Sequence, residues 1–197
     1  MENKILEHNC NRILVLILIL IHLRPLYAQS IDVPVEIQYP LLLKILTFDR
    51  NFNKETHNEL KIGILYQEEY GRSVNIRNEL ISIIQNGSFS SVNNVPVHYQ
   101  AIIYKDASEL ALQIKSNKID VLYVTPMRMI RINEISDCCK KLQVLTFSGV
   151  TEYIKAGLSV GITLKGDKPQ IIINNKSAKS EGSDFDSRLL QISRIVE

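Results

Sequence analysis

Short apolar runs that alternate with helical segments constrain the fold of this chain more than any other feature of its sequence. The runs with strand character cover residues 61–66, 95–104, 119–124 and 142–147. Apolar residues at helical spacing lie between them, at 72–85, from 106 onward and at 125–140. Strands that alternate with helices join through right-handed crossovers, which produce a mostly parallel sheet with helices on both faces. The sequence therefore predicts an α/β fold with the layers of a three-layer sandwich.

The regions that flank this alternation add a first helix and a terminal hairpin. Apolar residues at helical spacing predict a helix over 33–52, which Pro40 either kinks or begins. The sequence Lys-Gly-Asp-Lys-Pro at 165–169 is typical of a turn and predicts an antiparallel hairpin at the C-terminal end of the sheet. Further helices are predicted over 149–155, 176–181 and 186–196.

The N-terminus has the parts of a secretory signal peptide. An unbroken run of nine apolar residues, 13–21, follows Lys4 and Arg12 and precedes Pro25 and Ala28. Nine residues rise only about 14 Å as a helix, whereas a hydrocarbon core is ~30 Å thick. We expect residues 1–28 to be a cleaved signal peptide and 29–197 to form one exported domain. An uncleaved membrane anchor is the alternative.

Charge and motifs exclude several classes of function. The formal net charge of the chain is only +2, and its basic residues are scattered, so we expect no nucleic-acid partner. There is no G-x-S-x-G motif, no phosphate-binding glycine loop and no histidine spacing that suits a metal. Asp184 and Asp186 form the one pair of carboxylates that invites a catalytic interpretation, and turn and N-cap chemistry explains them better. The sequence thus predicts a protein that is not an enzyme and holds no metal or cofactor.

Cysteine usage leaves three alternatives. Cys138 and Cys139 are adjacent, so they cannot join distant segments of the chain. They can form a strained disulfide with each other, bridge two subunits of a homodimer, or remain as two thiols. Export favours oxidation.

Two further polar pairs have both a structural and a binding interpretation. Asn174 and Asn175 end the last predicted strand, where they either tie loops together or contact a ligand. Asp49 and Arg50 close the first predicted helix, where they form an ion pair or cap, or contact a partner.

An ordered set of segments in the C-terminal half resembles the YfiR/HmsC family. The segments are 144–149, Tyr153, 157–162, 169–174 and 182–190, followed by the terminal block 189–196. The helix that ends at 44–51 is similar to the first helix of that family, with Phe-Asp-Arg in place of the usual aromatic-Pro ending.

The resemblance implies a periplasmic regulator. Well-studied members bind the periplasmic domain of an inner-membrane diguanylate cyclase and hold it inactive; they work as dimers and respond to redox state through disulfides. This chain departs from them because it lacks widely spaced cysteine pairs. The resemblance therefore implies an inner-membrane signalling partner, a diguanylate cyclase or a sensor kinase, whose activity the protein lowers.

Exposed aromatic and arginine side chains dominate interface energetics, so we expect Phe185, Arg188 and Tyr153, and after them Arg50, to contact that partner. The alternative function is a single-lobed periplasmic solute-binding protein. A two-lobed receptor usually needs well over ~200 residues, whereas the predicted mature domain, 29–197, has room for one lobe only, which favours the regulator.

Overall fold

The computed structural model describes residues 33–54, 58–87 and 90–196, and it confirms the predicted α/β class. The predicted signal peptide, residues 1–28, lies outside the described residues. It therefore stays a prediction.

One mixed sheet forms the middle layer. Its strands are β1 (Leu60–Tyr66), β2 (Ser91–Val92), β3 (Val95–Ile103), β4 (Val121–Val124), β5 (Leu145–Ser148), β6 (Val160–Lys165), β7 (Lys168–Asn174) and β8 (Arg194–Val196). They lie in the order β2-β3-β1-β4-β5-β6-β7-β8. Strands β3, β1, β4, β5 and β6 run parallel, and the predicted hairpin pairs β7 antiparallel to β6.

Helices cover the two faces of this sheet. They are α1 (Val35–Leu46), α2 (Arg50–Lys54), α3 (Gly71–Asn86), α4 (Ala107–Asn117), α5 (Ile132–Leu142), α6 (Thr151–Lys155), α7 (Asn175–Ser180) and α8 (Ser187–Ile192). Side chains alternate along β4, so Val121 and Tyr123 pack in the same cluster as α1 and α3, while Leu122 and Val124 pack with α4, α5 and α6. Two cores, one on each face, result from this alternation.

Helix ends follow local chemistry. The Asp106 carboxylate accepts hydrogen bonds from the backbone N–H groups of Ser108 and Glu109 and so caps α4, as its sequence pattern predicts. Helix α5 ends at Gln143 in the left-handed region, with φ 54°. Gly157, with φ 114°, makes the turn after α6 that side chains rarely allow.

Three predicted helices have different bounds in the structure. The helix predicted over 125–140 begins only at Ile132, because Thr125 is buried and its hydroxyl donates to the Leu65 carbonyl at 2.9 Å. The helix predicted over 33–52 stops at Leu46, and α2 begins at Arg50. The last predicted helix ends at Ile192, since Ser193 is extended and leads into β8.

Candidate functional site

Two segments far apart in sequence, 47–51 and 182–188, lie against each other; we call this pair the junction. Arg50 N–H donates to the Asp184 carbonyl at 2.9 Å, and Asp186 N–H donates to the Phe48 carbonyl at 2.9 Å. Asp49 and Phe185 form an isolated antiparallel bridge between the two bonds. Both segments belong to the blocks that carry the family resemblance, so the fold brings those blocks together at one place.

The buried layer of the junction is held by Asp49. This carboxylate is almost inaccessible, and its Oδ1 accepts from Asn51 N–H at 2.9 Å and from Asp184 N–H at 3.0 Å. The Asn51 amide in turn donates to the Gly182 carbonyl at 2.8 Å. Because these bonds satisfy partly buried backbone groups of both segments, the first role of Asp49 is to join the segments.

The exposed layer of the junction is a network of charges. Arg50 lies 3.5 Å from Asp184 and 3.8 Å from Asp186, and Arg188 Nε lies 3.0 Å from Asp186. The Arg188 hydrogen bonds lower the pKa of Asp186. The Arg188 guanidinium also lies 5.8 Å from the centre of the Phe48 ring. Both arginines are exposed, as the sequence prediction requires for partner contacts.

The two aromatic candidates do not belong to this surface. Phe185 is buried, because side chains alternate along 184–186 and the bridge with Asp49 turns this one into the core. Tyr153 is also buried; its hydroxyl accepts from Met127 N–H at 2.8 Å and lies 3.1 Å from the Met127 carbonyl. The expectation that these two side chains are exposed is wrong.

Asn174 ties elements together, in agreement with the structural alternative. Its Oδ1 accepts from Ser177 N–H at 3.0 Å, which caps α7, and its amide donates to the Ile154 carbonyl at 3.4 Å. Asn175 is the first residue of α7 and is half-buried. A ligand contact by either side chain stays a prediction.

Cys138 and Cys139 are free thiols in the structure, and both are buried on α5. The Cys138 thiol lies 3.7 Å from the Ala107 carbonyl. Burial raises the pKa of Cys139 well above its usual range, so this sulfur stays protonated and unreactive. The structure thus shows two thiols that are not bonded to each other, and a disulfide bridge between two subunits stays a prediction.

Glu181 is the buried titratable group that sequence reasoning missed. It accepts from Thr146 N–H at 2.8 Å, from the Thr146 hydroxyl at 2.9 Å and from the Ser159 hydroxyl. Burial raises its pKa to about 7, although these donors oppose that rise. The sequence offered only a charged residue before Gly182, which is an ordinary surface pattern.

A cleft of about 640 Å³ opens beside Glu181 and the junction. Asp49 and Glu181 line one side, and Lys118 and Asp120 line another, at the N-terminal end of β4. Charged side chains therefore line the cleft, but the carboxylates of Asp49 and Glu181 already accept hydrogen bonds within the protein and are not free to bind a ligand.

Comparison with known protein families shows which family this chain belongs to. A family model described as YfiR/HmsC-like matches residues 36–194, which is most of the chain. The chain belongs to the YfiR/HmsC-like family. This family supports a periplasmic regulator in general, with a regulatory rather than a catalytic role. A comparison with curated protein sequences finds no match.

Solved structures resemble this YfiR/HmsC-like chain in fold. A conserved domain protein from Vibrio cholerae O1 biovar El Tor matches with a TM-score of 0.61 and 14% identity, over 84% of this chain and 61% of that one. The ABC domain in complex with L-Trp from Streptococcus pneumonia matches with a TM-score of 0.55 and 14% identity, over 83% and 60%. A substrate-binding protein with adhesive properties from Clostridium difficile matches with a TM-score of 0.50 and 18% identity, over 70% and 54%. This chain therefore spans about three fifths or less of each of these structures.

Two kinds of feature are absent from the described residues. Within 33–54, 58–87 and 90–196 no helix is both long and apolar enough to cross a membrane. In the same ranges no three His, Cys, Asp or Glu side chains are grouped in a way that suits a metal ion.

Proposed function

We propose that the exported domain binds the periplasmic part of an inner-membrane signalling protein and lowers its activity. The observation that carries this proposal is the family match over 36–194, whose recognisable end blocks meet at the junction. A diguanylate cyclase is the first partner to test, and a sensor kinase is the second.

The exposed layer of the junction is the contact surface in this proposal. Arg50 and Arg188 display guanidinium groups on a rigid base, because backbone bonds and Asp49 hold both segments in place. Arginine is enriched at interface hot spots, and a preorganised side chain loses less entropy on binding. Inhibition then requires only that the domain prefer the inactive partner. A preference of roughly 100-fold, about 2.7 kcal/mol, shifts a balanced equilibrium almost completely.

The test combines a gene deletion with a matched pair of charge reversals. Deletion raises cyclic di-GMP if the partner is a diguanylate cyclase, and Arg188→Glu raises it to the same level while the protein still folds. Arg131→Glu is the control, because Arg131 is as exposed as Arg188 (80% and 77%) but pairs with Glu134 on α5. The control should keep repression. Unchanged cyclic di-GMP and unchanged kinase output in the deletion strain would count against the proposal.

The second candidate is a single-lobed solute-binding protein. It is favoured by the likeness to one substrate-binding protein and to a domain that binds L-Trp. A thermal-shift assay of the purified domain with L-tryptophan and other amino acids tests it. A saturable rise in melting temperature would support the solute-binding candidate. If no amino acid of the panel raises the melting temperature, this candidate is excluded.

A further inference from the structure

An apolar groove lies between α1 and the β6–β7 hairpin, on the same face of the sheet as α1. Its walls are formed by Ile37, Pro40 and Leu41 from α1, Pro169 and Ile171 from β7, and Ile192 from α8. The groove encloses about 790 Å³. This volume is within the ~300–1,000 Å³ of typical binding pockets.

Exposed apolar side chains are concentrated around the groove. Four of the seven large hydrophobic residues that are exposed among the described residues are Ile37, Leu164, Ile192 and Ile195. The sheet register places Leu164 opposite Pro169 and Ile195 opposite Ile173, so both extend the apolar face beside the groove. Single exposed hydrophobic residues are normal on a protein surface, whereas a contiguous exposed group marks an interaction site.

The rim of the groove at the hairpin is cationic. Lys165 and Lys168 both line it and are exposed, and neither has an ion-pair partner within the described ranges. Asp167 is the one acidic residue of this turn, and Glu36 on α1 is the one acidic residue in the lining of the groove. An occupant with carboxylates beside its apolar side chains therefore complements the hairpin end of the groove.

The shape of the groove favours a helix as this occupant. A strand would need a free sheet edge, and beside the groove β7 leaves only residues 168–171 unpaired, because β8 pairs with 172–174. Four residues are fewer than the ~5–6 of a typical strand. A second copy of the chain would carry the same lysines, so like charges would meet where the two rims approach. An amphipathic helix instead places apolar side chains at every third or fourth position in a groove and leaves its flank for charges.

The groove is continuous with the junction through α8. Arg188 of the junction and Ile192 of the groove are four residues apart on this helix, which puts them on the same side. We infer that the groove binds an amphipathic helix with an acidic flank, presented by the periplasmic part of the same signalling protein. This inference rests on the proposed function, because it names how that partner binds.

Site-specific photo-crosslinking in intact cells tests the inference. The crosslinker p-benzoylphenylalanine is placed in the full-length chain at Ile192, at Arg188 or at Leu112, and the joined peptides are identified by mass spectrometry. Leu112 is the control because it is as exposed as Ile192 (64% and 68%) but lies on α4, at the other face of the sheet. We expect positions 188 and 192 to join the same membrane protein, with 192 joined to a helical segment that has an apolar stripe and acidic neighbours.

The outcomes separate the inference from the proposed function. Crosslinks to a membrane protein from 188 alone would keep the regulator and overturn the groove. Crosslinks from 192 to a second copy of the chain, or to lipid, would also overturn the helix in favour of a dimer or a membrane surface. Failure of both positions to join any membrane protein would remove both ideas.

Substitutions give a second, independent measure. Ile192→Glu, and separately Lys165→Glu with Lys168→Glu, should weaken binding of the partner's periplasmic domain at least about tenfold, as hot-spot changes do. Leu112→Glu should leave binding unchanged. If binding by both groove variants equals that of the wild type while Arg188→Glu abolishes it, the groove has no part in the complex.

Discussion

The buried layer and the exposed layer of the junction come from the same two short segments but have different roles. The buried layer consists of Asp49 and Phe185, and the buried Glu181 lines the same cleft as Asp49. The exposed layer consists of Arg50 and Arg188 with their carboxylate partners, all of which solvent reaches. Residues 184–186 alternate between these layers, so neighbouring positions in the sequence differ in what a substitution should do.

The difference teaches that folding and recognition can be separated at this site. Buried hydrogen bonds and apolar contacts in the buried layer hold two distant segments together. Their loss lowers the free energy of unfolding, because it leaves a buried polar group unpaired or a cavity in the core. Exposed ion pairs contribute little to stability because water and salt screen them. The exposed layer can therefore contact a partner with little change in the free energy of unfolding.

The largest expected effect is that of Phe185→Ala. The side chain is buried in the core cluster that includes α1 and α8, so its removal leaves a cavity. Large-to-small changes of this kind cost ~3–5 kcal/mol. Urea denaturation of the purified domain measures the loss, with Leu112→Ala as an exposed control. A loss below about 1 kcal/mol would mean that Phe185 is not a core residue and that the two layers are not distinct.

A smaller effect is expected from the titration of Glu181. Burial raises the pKa of Glu181 to about 7 in the folded state, from 4.5 in the unfolded chain. Between these values the folded protein binds more protons than the unfolded chain, so stability falls as pH rises through this window. The contribution is complete below the unfolded pKa and is lost once pH passes about 7. From pH 5 to pH 8 the loss should be roughly 2–3 kcal/mol.

Glu181→Gln separates this group from all others that titrate. The variant cannot ionise, so its stability should change less between pH 5 and pH 8 than that of the wild type. The difference between the two slopes in urea denaturation is the quantity to measure. Parallel slopes would show that Glu181 has an ordinary pKa and does not belong with the buried layer.

Local pattern explains what could be predicted of this fold. The strands β1, β3, β4 and β5 were accessible to sequence reasoning because buried parallel strands are short and almost wholly apolar. The capping carboxylate of Asp106 was accessible because its hydrogen bonds are local. The signals at Thr125 and Pro126 misled, since a hydroxyl that suits an N-cap equally suits a buried bond to Leu65.

The candidate site was harder to predict because its contacts are not local. Arg50 and Asp184 are 134 positions apart, and no periodicity links their segments. A sequence gives residue type but not direction, so Phe185, between two aspartates, had the pattern of an exposed aromatic residue. Burial of Glu181 depends on Thr146 and Ser159, which come from two other parts of the chain. The family resemblance drew attention to both segments, and the structure shows that they lie against each other.

The smallest effect on stability is expected for Arg188→Ala and Arg50→Ala. Both side chains are largely in solvent, and the backbone bonds between the segments do not depend on them. Neither substitution should measurably shift the urea midpoint, at low salt or at 0.5 M NaCl, because exposed ion pairs contribute only ~0–1 kcal/mol once the loss of side-chain entropy is counted. The same variants should nevertheless lose repression of the membrane partner. A fall in midpoint comparable with that of Phe185→Ala would place the arginines in the layer that holds the fold, and would leave the partner without the contact surface proposed for it.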